Sequence, residues 1–471
     1  MIDRSHLDKL IATERERFTH THAESAACFK RAQTSLLAGV PMPWMTEWAS
    51  PYPLFVSSAQ GARFVDVDGH EYVDFCLGDT GAMTGHAPPA VARAVAERFA
   101  DGASFMLPTE DSIWVAEELT RRFGLDQWQF CLTATDANRF ALRHARALTG
   151  RNKVLVFNWC YHGSVDEALI TLDERGGPMV RDGSIGPPVD PSLTTRVIEW
   201  NSIEALEGAL REEDIACVLA EPAMTNIGII HPDPGYHDAL RTLTRQTGTL
   251  LVIDETHTIC AGPGGYTGRF TLEPDMLTIG KPLASGIPAA AYGLSAEVAA
   301  AILRDDGLLE KSDTGGVGGT LSGNALSLGA MRATLESVLT GEAFERMESV
   351  ACAWADGVRM VLGEYGLDWH VGQLGCRVEY WFSPTAPRNG GQAAAAVDAK
   401  LSQFMHLHAL NRGILLTPFH NMALMSPATT LDDVDVHTAA FAEAIDALVR
   451  NGSLDVTGRR HTTSVEAESQ S

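Results

Sequence analysis

Apolar residues recur at spacings of three and four from Ile2 to Arg17 and again from Ala23 to Leu37, which predicts two helices stopped by Gly39, Pro41 and Pro43. Two short alternating stretches follow, GARFVDVDG and HEYVDFCLG, joined by Asp68-Gly69, and they predict a β-hairpin. From about residue 90 to 295, helical stretches alternate with the uninterrupted apolar runs KVLVFNW, ACVLAEP, TLLVIDE, MLTIGKP and AAAYGLS. Strands buried on both faces read this way, so the pattern predicts a mostly parallel sheet sandwiched by helices. A long helix, Ala325 to Leu339, leads out of this unit. Residues from about 340 to 455 then mix helices with the strand GCRVEYWF, as a smaller C-terminal domain would. The final TGRRHTTSVEAESQS is polar and aperiodic, which predicts a disordered tail. No internal repeat is visible.

Length and composition narrow the function class. A chain of 471 residues exceeds one small core and suits a large domain plus a smaller one. No apolar stretch is long enough to span a membrane, and the N-terminus has neither the apolar centre nor the cleavage site of a secretory signal, so a soluble, cytoplasmic protein is expected. The eight cysteines lie scattered without C-x-x-C spacing, which predicts reduced, buried thiols and no metal site. A formal charge of -24 with no basic run excludes a phosphate backbone as partner, although a local basic pocket remains compatible with a phosphorylated cofactor.

Four features then point to chemistry. Lys281 follows the apolar run MLTIG at the end of a predicted buried strand, among small residues, and a buried lysine is costly unless its amine is used. Taken alone it reads more readily as a lysine reaching to solvent, and the residues around it in the chain overturn that. Asp254 closes TLLVIDE at the C-terminal end of another strand, where open α/β sheets place ligand groups; there it either holds a protonated pyridine nitrogen or caps a helix. Thr135 stands in a turn of small residues opening into a helix, a place for a phosphate or a simple cap. Tyr161, after the strand KVLVFNW, offers a ring face to a planar cofactor or only to packing.

The order of these features, with the motifs YHG, AEP, VIDE, IGKP and GGTLSGN, resembles the class III aminotransferases of pyridoxal-5'-phosphate (PLP) fold type I, nearest the branch of glutamate-1-semialdehyde aminomutase and β-amino acid aminotransferase. The resemblance runs from about Gly61 to about Ser426. It implies an α/β fold with a mostly parallel seven-stranded sheet and a smaller α+β domain formed by the C-terminal and N-terminal segments. The expected organisation is an N-terminal arm and hairpin over 1–75, a large PLP-binding domain over 76–335, a small domain over 336–455 and a tail over 456–471. The resemblance makes Lys281 the Schiff-base lysine, Asp254 the partner of the pyridine nitrogen and Tyr161 the residue stacked on the ring. It places Thr256 over the other ring face, His257 near the phenolic oxygen or the substrate, and Ala134 and Thr135 at the phosphate. Thr320 would reach the phosphate of the neighbouring subunit, which implies a homodimer with shared sites.

Departures from the family pattern bear on the substrate. Asn226 stands where ornithine and GABA aminotransferases carry a glutamate, and its partner arginine is missing from PFHNMALMS. The arginine with which β-amino acid aminotransferases grip a carboxylate is also absent from GVPMPWMTEW, where Trp44 and Trp48, with Tyr52 beyond, either shape a substrate pocket or pack an interface. Arg377, in GCRVEYWF, either meets the substrate or pairs with Glu379. The expected activity is an aminotransferase acting on a small amine or amino acid and a keto acid or aldehyde. An aminomutase, racemase or ammonia-lyase on the same cofactor contacts is the alternative, and a non-catalytic relative used as a scaffold is disfavoured by the intact Lys281, Asp254 and Tyr161.

Overall fold

A computed structural model describes residues 3–186, 189–304 and 316–450. Asp3 caps the first helix, Arg4–Thr21, by accepting from the amide of Ser5 at 2.9 Å. A second helix, Ala23–Ala32, ends short of the predicted Leu37, because Thr34 turns its hydroxyl onto the Arg31 carbonyl and Ala38 takes a left-handed φ of 56°. Strands β1 (Val56–Gln60), β2 (Arg63–Asp66) and β3 (Glu71–Asp74) form an antiparallel meander, with Asp68-Gly69 in the β2–β3 turn as expected. The Asp68 carboxylate also accepts from the amides of Glu24 and Ser25, so the hairpin turn caps the second helix from a distance. Buried Tyr72 donates to Asp66 at 2.9 Å and lies 2.7 Å from His22, fixing the arm onto the hairpin.

The main sheet contains β4 (Gln127–Cys131) and β5 (Lys153–Phe157). After a small hairpin of β6 (Ile170–Leu172) and β7 (Pro178–Val180), it takes β8 (Thr195–Ile198), β9 (Ile215–Ala220), β10 (Leu250–Asp254), β11 (Met276–Ile279) and β12 (Ala290–Leu294). Its seven strands run in the order β4-β12-β11-β10-β9-β5-β8, all parallel except β12, which is antiparallel to both neighbours. The five apolar runs picked out in the sequence are the five inner strands. The two edges, QWQFC and TRVI, escape that pattern because one face or one end of each meets water. Helices Ala134–Thr149 and Tyr236–Thr247 pack against this sheet.

The helix Ala325–Ser337 leads out of the sheet unit, two residues shorter than predicted, closed by the amide of Leu339 on the Thr334 carbonyl. Beyond it, β13 (His370–Leu374) and β14 (Arg377–Trp381) form a hairpin, and β15 (Ile414–Leu415) and β16 (Met422–Leu424) diverge: β16 joins β14, while β15 pairs parallel with β3. The N-terminal and C-terminal segments thus share a sheet. Helices Gly341–Glu364 and Leu431–Val449 pack against one another there, with Trp354 fully buried between them and the sheet. No described helix is long and apolar enough to cross a membrane. All eight cysteines are unpaired, six of them buried, Cys28 partly so and Cys352 exposed. Ile2 and the tail from 451 onward lie outside the described residues.

Candidate active site

The C-terminal ends of β5, β9, β10 and β11 open on one cavity of about 470 Å³. Its floor is Asp254, the last residue of β10, only 3% exposed. One carboxylate oxygen accepts from Asn138 Nδ2 at 2.8 Å and His162 Nδ1 at 2.9 Å, and the other accepts from the amide of Thr256 at 3.0 Å. Asn138 is itself fixed by the Thr278 hydroxyl at 2.6 Å. Burial works against ionisation of Asp254, but its bonds to His162 outweigh it and hold the carboxyl at about 2. Burial likewise disfavours an imidazolium at His162, yet Cys160 and Asp254 raise the ring to about 10. The floor is therefore a hydrogen-bonded ion pair.

At the opposite end the helix Ala134–Thr149 begins, capped by Thr133, whose hydroxyl accepts from the Asp136 amide at 3.1 Å. Ala134 and Thr135 line the cavity within the first turn, where amides have no intrahelical acceptor. The Thr135 hydroxyl accepts from the Ser164 amide at 3.1 Å. Gly163, with φ 76°, is required here: a Cβ would lie 2.1 Å from the Thr135 hydroxyl. A helix N-terminus with a hydroxyl beside it suits a phosphate.

Lys281 follows β11 and enters the cavity from the side with a left-handed φ of 50°. Its Nζ lies 2.9 Å from Asp79 Oδ2 and 2.7 Å from His257 Nε2. The Thr80 hydroxyl and Arg377 Nη1 both approach His257 Nδ1, at 3.0 and 3.3 Å. Burial and the charges of Lys281 and Arg377 push the His257 ring well below its ordinary value, so it is neutral. Burial alone would raise Asp79, but the charges of Lys281 and Arg377 hold it well below the usual carboxylate range.

Of the residues singled out from sequence, Ala134, Thr135, Tyr161, Asp254, Thr256, His257 and Lys281 all line this one cavity. Thr256 has a buried hydroxyl without a partner, and Tyr161 is partly exposed at the mouth. Thr320 is exposed on the surface of the chain and does not line the cavity. Trp44 and Trp48 line an adjoining apolar cavity of about 410 Å³ that meets the first at Gly78, whereas Tyr52 packs on Phe18 and bonds to the His22 carbonyl. Asn226 donates to the Trp159 carbonyl at 2.9 Å.

The expected pairing of Arg377 with Glu379 is not made. Arg377 is fully buried, donates to the Thr225 carbonyl at 3.1 Å and faces His257, while Glu379 accepts from the Ile229 amide and lies 3.4 Å from His420. The turn between β13 and β14 fixes this orientation. Gly375, at φ 55°, presses on Cys260 so closely that a Cβ would stand 2.1 Å from its carbonyl oxygen, and the Cys376 amide donates to that oxygen at 3.0 Å.

Sequence reasoning missed Asp79, Thr80, Asn138, His162 and Glu221. Glu221 lines the cavity, takes the Thr225 hydroxyl, and is raised above the ordinary carboxyl range by burial. His162 and Glu221 stand in the YHG and AEP motifs but were given no role there, and the signal for Asn138 was its place one turn into the phosphate helix.

A flat anionic molecule carrying a carbonyl would find a helix N-terminus for its phosphate, an amine for its carbonyl and a carboxylate for a ring nitrogen, with the Thr256 hydroxyl free beside the ring. Those residues fit pyridoxal 5'-phosphate, and the sheet is that of a PLP enzyme of fold type I. Residues 44–447 match the family Aminotransferase class-III. A curated glutamate-1-semialdehyde 2,1-aminomutase of Sorangium cellulosum is 35% identical over 432 residues, 90% of this chain and 96% of that one. The crystal structure of a glutamate-1-semialdehyde-aminomutase from Pseudomonas aeruginosa PAO1 superposes with a TM-score of 0.93 at 48% identity, covering 95% of this chain and 100% of that one; a variant of it is described in complex with PMP. An omega-transaminase from Sphaerobacter thermophilus gives a TM-score of 0.81 at 30% identity, covering 90% and 97%. The chain belongs to the class III aminotransferase family and is a PLP enzyme.

Proposed function

We propose that this enzyme moves an amino group within one small substrate, as a 2,1-aminomutase, with Lys281 as the lysine that carries PLP. The observation that carries the reading is the Lys281 amine facing Asp79 and His257 in the cavity whose floor is Asp254. The relatives just described, two of them aminomutases, support the intramolecular outcome. Transfer to an external keto acid, an aminotransferase proper, is the second reading, favoured by the likeness to the Sphaerobacter transaminase.

Bound in this cavity, PLP supplies an electron sink for the electron pair left on the substrate carbon when a proton is removed. Asp254 holds a proton on the pyridine nitrogen, and the His162 ion pair keeps Asp254 charged for that task. Lys281 Nζ moves the proton to and from the substrate carbon. Tyr161 and Thr256 would flank the ring, His257 would stand at its phenolic side, and the amides and hydroxyl of Ala134 and Thr135 would hold the phosphate, since all of these residues line the cavity.

The site is read as shared across a homodimer. Thr320 and Leu321 are exposed on the single chain, and the Leu326 amide binds the Ala103 carbonyl, joining this turn to the exposed Phe105, Met106 and Leu107. That apolar surface suits a second copy, whose phosphate Thr320 would reach. The division into 1–75, 76–335 and 336–455 remains our reading, supported by the β15–β3 pairing that joins the first and last parts. Eight unpaired cysteines support a cytoplasmic address.

The experiment supplies glutamate 1-semialdehyde to the pyridoxamine-loaded enzyme with no keto acid. Moving the amino group from C2 to C1 must yield 5-amino-4-oxopentanoate, and its catalytic formation supports the aminomutase. Turnover only when an external keto acid is added, with the cofactor cycling between its two absorbance forms, establishes the transaminase instead.

A further inference from the structure

The loop that precedes the third helix of the fold, Pro89–Ala100, is built at unusual conformational cost. Leu77, Gly78, Asp79 and Thr80 all have positive φ, at 45°, 58°, 50° and 81°, and three of the four carry a side chain. Residues in this region are disfavoured unless their surroundings over-determine them, and such strain gathers at functional sites. Here the surroundings do so. Asp74 accepts from the amides of Cys76 and Leu77 at 2.9 and 2.7 Å, the Asp79 amide binds the Cys76 carbonyl at 2.9 Å, and the Gly81 and Met83 amides close further turns on Gly78 and Thr80. The result is that Asp79 faces Lys281 and Thr80 faces His257.

Lys281 Nζ, Asp79 Oδ2 and His257 Nε2 form a triangle with sides of 2.9, 2.7 and 3.8 Å. Lys281 lines the cavity, and Asp79 and Lys281 each keep about a quarter of their side-chain surface open, 25% and 27%. The other Asp79 oxygen, Oδ1, is buried without a partner. Arg377 lies on the far side of His257 and gives the cluster a second fixed positive charge.

Any reaction that exchanges two amines on one carbon has one of them free before the exchange and the other free after it, and a free amine is an ammonium at neutral pH. We propose that Asp79 is a further catalytic residue: its carboxylate holds the ammonium of whichever amine is not bonded to the cofactor, that of Lys281 or that of the substrate, and His257 takes the proton that this nitrogen must lose before it attacks. This rests on Lys281 being the PLP lysine. The proton passes from Nζ to His257 Nε2, leaving a lone pair on Nζ and an imidazolium 3.8 Å from the Asp79 carboxylate, which balances its charge until the proton returns. Neutrality of His257 beforehand follows from its burial between Lys281 and Arg377. Thr80 fixes the ring by accepting from Nδ1–H, the tautomer that leaves Nε2 free to take the proton.

The test compares wild-type holoenzyme with Asp79→Asn and His257→Gln. The visible absorbance of the cofactor is titrated against pH in the absence of substrate, and borohydride-reduced samples are mapped for the labelled lysine. Loss of a carboxylate beside the cofactor-bound nitrogen lowers the pH midpoint of that absorbance in Asp79→Asn by about one unit or more. Turnover of Asp79→Asn falls at least about tenfold with a rise in KM for the amine, whereas His257→Gln loses kcat with little change in KM. Label on Lys281 together with a midpoint and kcat within about twofold of wild type overturns the role of Asp79 and leaves the Lys281 reading standing. Label on another lysine overturns both. If Asp79→Asn does not fold, Asp79→Ser is judged by the same two readouts.

Discussion

Asp254 and Lys281 face each other across one cavity, yet the chain builds their surroundings differently. Asp254 ends a regular strand, is 3% exposed, and sits in a relay of fixed bonds running from Thr278 through Asn138 to the carboxylate and on to His162. Lys281 enters on a left-handed residue, meets a second left-handed residue in Asp79, and shares its amine between an acid and a neutral imidazole. A permanent charge is cheap to maintain on a rigid floor whose carboxylate accepts three hydrogen bonds, because nothing there has to move during turnover. An amine that must gain and lose protons and bonds needs partners of both kinds within reach, and accepts a strained backbone to have them.

The contrast can be broken or sharpened in four ways. Lys281→Ala removes the moving part altogether: turnover falls by at least about 10⁴-fold, the full span of general acid–base catalysis, and borohydride no longer fixes a pyridoxyl group to the chain. A steady-state assay with peptide mapping reads both. Asp254→Asn keeps the cofactor but loses the fixed charge, for a deficit of about 10²–10³-fold in turnover, or roughly 3–4 kcal/mol. Near-native turnover would make Asp254 a structural cap and erase the distinction between the two ends.

Thr320→Val removes one phosphate hydrogen bond at a neighbouring subunit's site and weakens cofactor retention by about 1.5–3 kcal/mol, roughly tenfold to a hundredfold, measured by dialysis and reloading. Mixing this variant with Lys281→Ala sharpens the result. Heterodimers then contain one site with both defects and one with neither, and active sites that retain cofactor no better in the mixtures than in Thr320→Val alone would show that each site is built by a single chain.

The smallest effect is a pH dependence of stability from the floor. Asp254, held at about 2 against an ordinary 3.8, contributes stability that is complete above 3.8 and lost as pH falls through about 2. His162, raised to about 10 from 6.5, contributes stability that is complete below 6.5 and lost as pH rises through about 10. The melting deficit of His162→Gln is therefore largest between about pH 4 and 6.5 and shrinks towards pH 10. A deficit independent of pH would mean that the pair is not ionic.

The inner sheet was legible because strands covered on both faces must be apolar throughout, and its edges were not, because Gln127 and Gln129 of QWQFC meet water. Lys281 and Asp254 were legible because each closes an apolar run and they stand in order with the YHG, AEP and GGTLSGN motifs; neither was decisive alone. Asp79 was not, since GDTG reads as an ordinary turn until its backbone angles are known. Arg377 illustrates a different limit. Strand alternation sets it on the same face as Glu379, which made a pair between them reasonable, but the nearer partners belong to loops about 120 and 150 residues earlier in the chain.

The turn at Gly375 has a consequence for recombining this enzyme with its relatives. Arg377 stands against His257 only because the turn before it can press onto the Cys260 carbonyl. A chimera that takes its C-terminal segment from a parent with a side chain at that position would force the hairpin outward and carry the guanidinium with it. Breakpoints placed before residue 375 should therefore be screened for glycine there first, and those placed after 381 inherit this junction intact whichever parent supplies the rest.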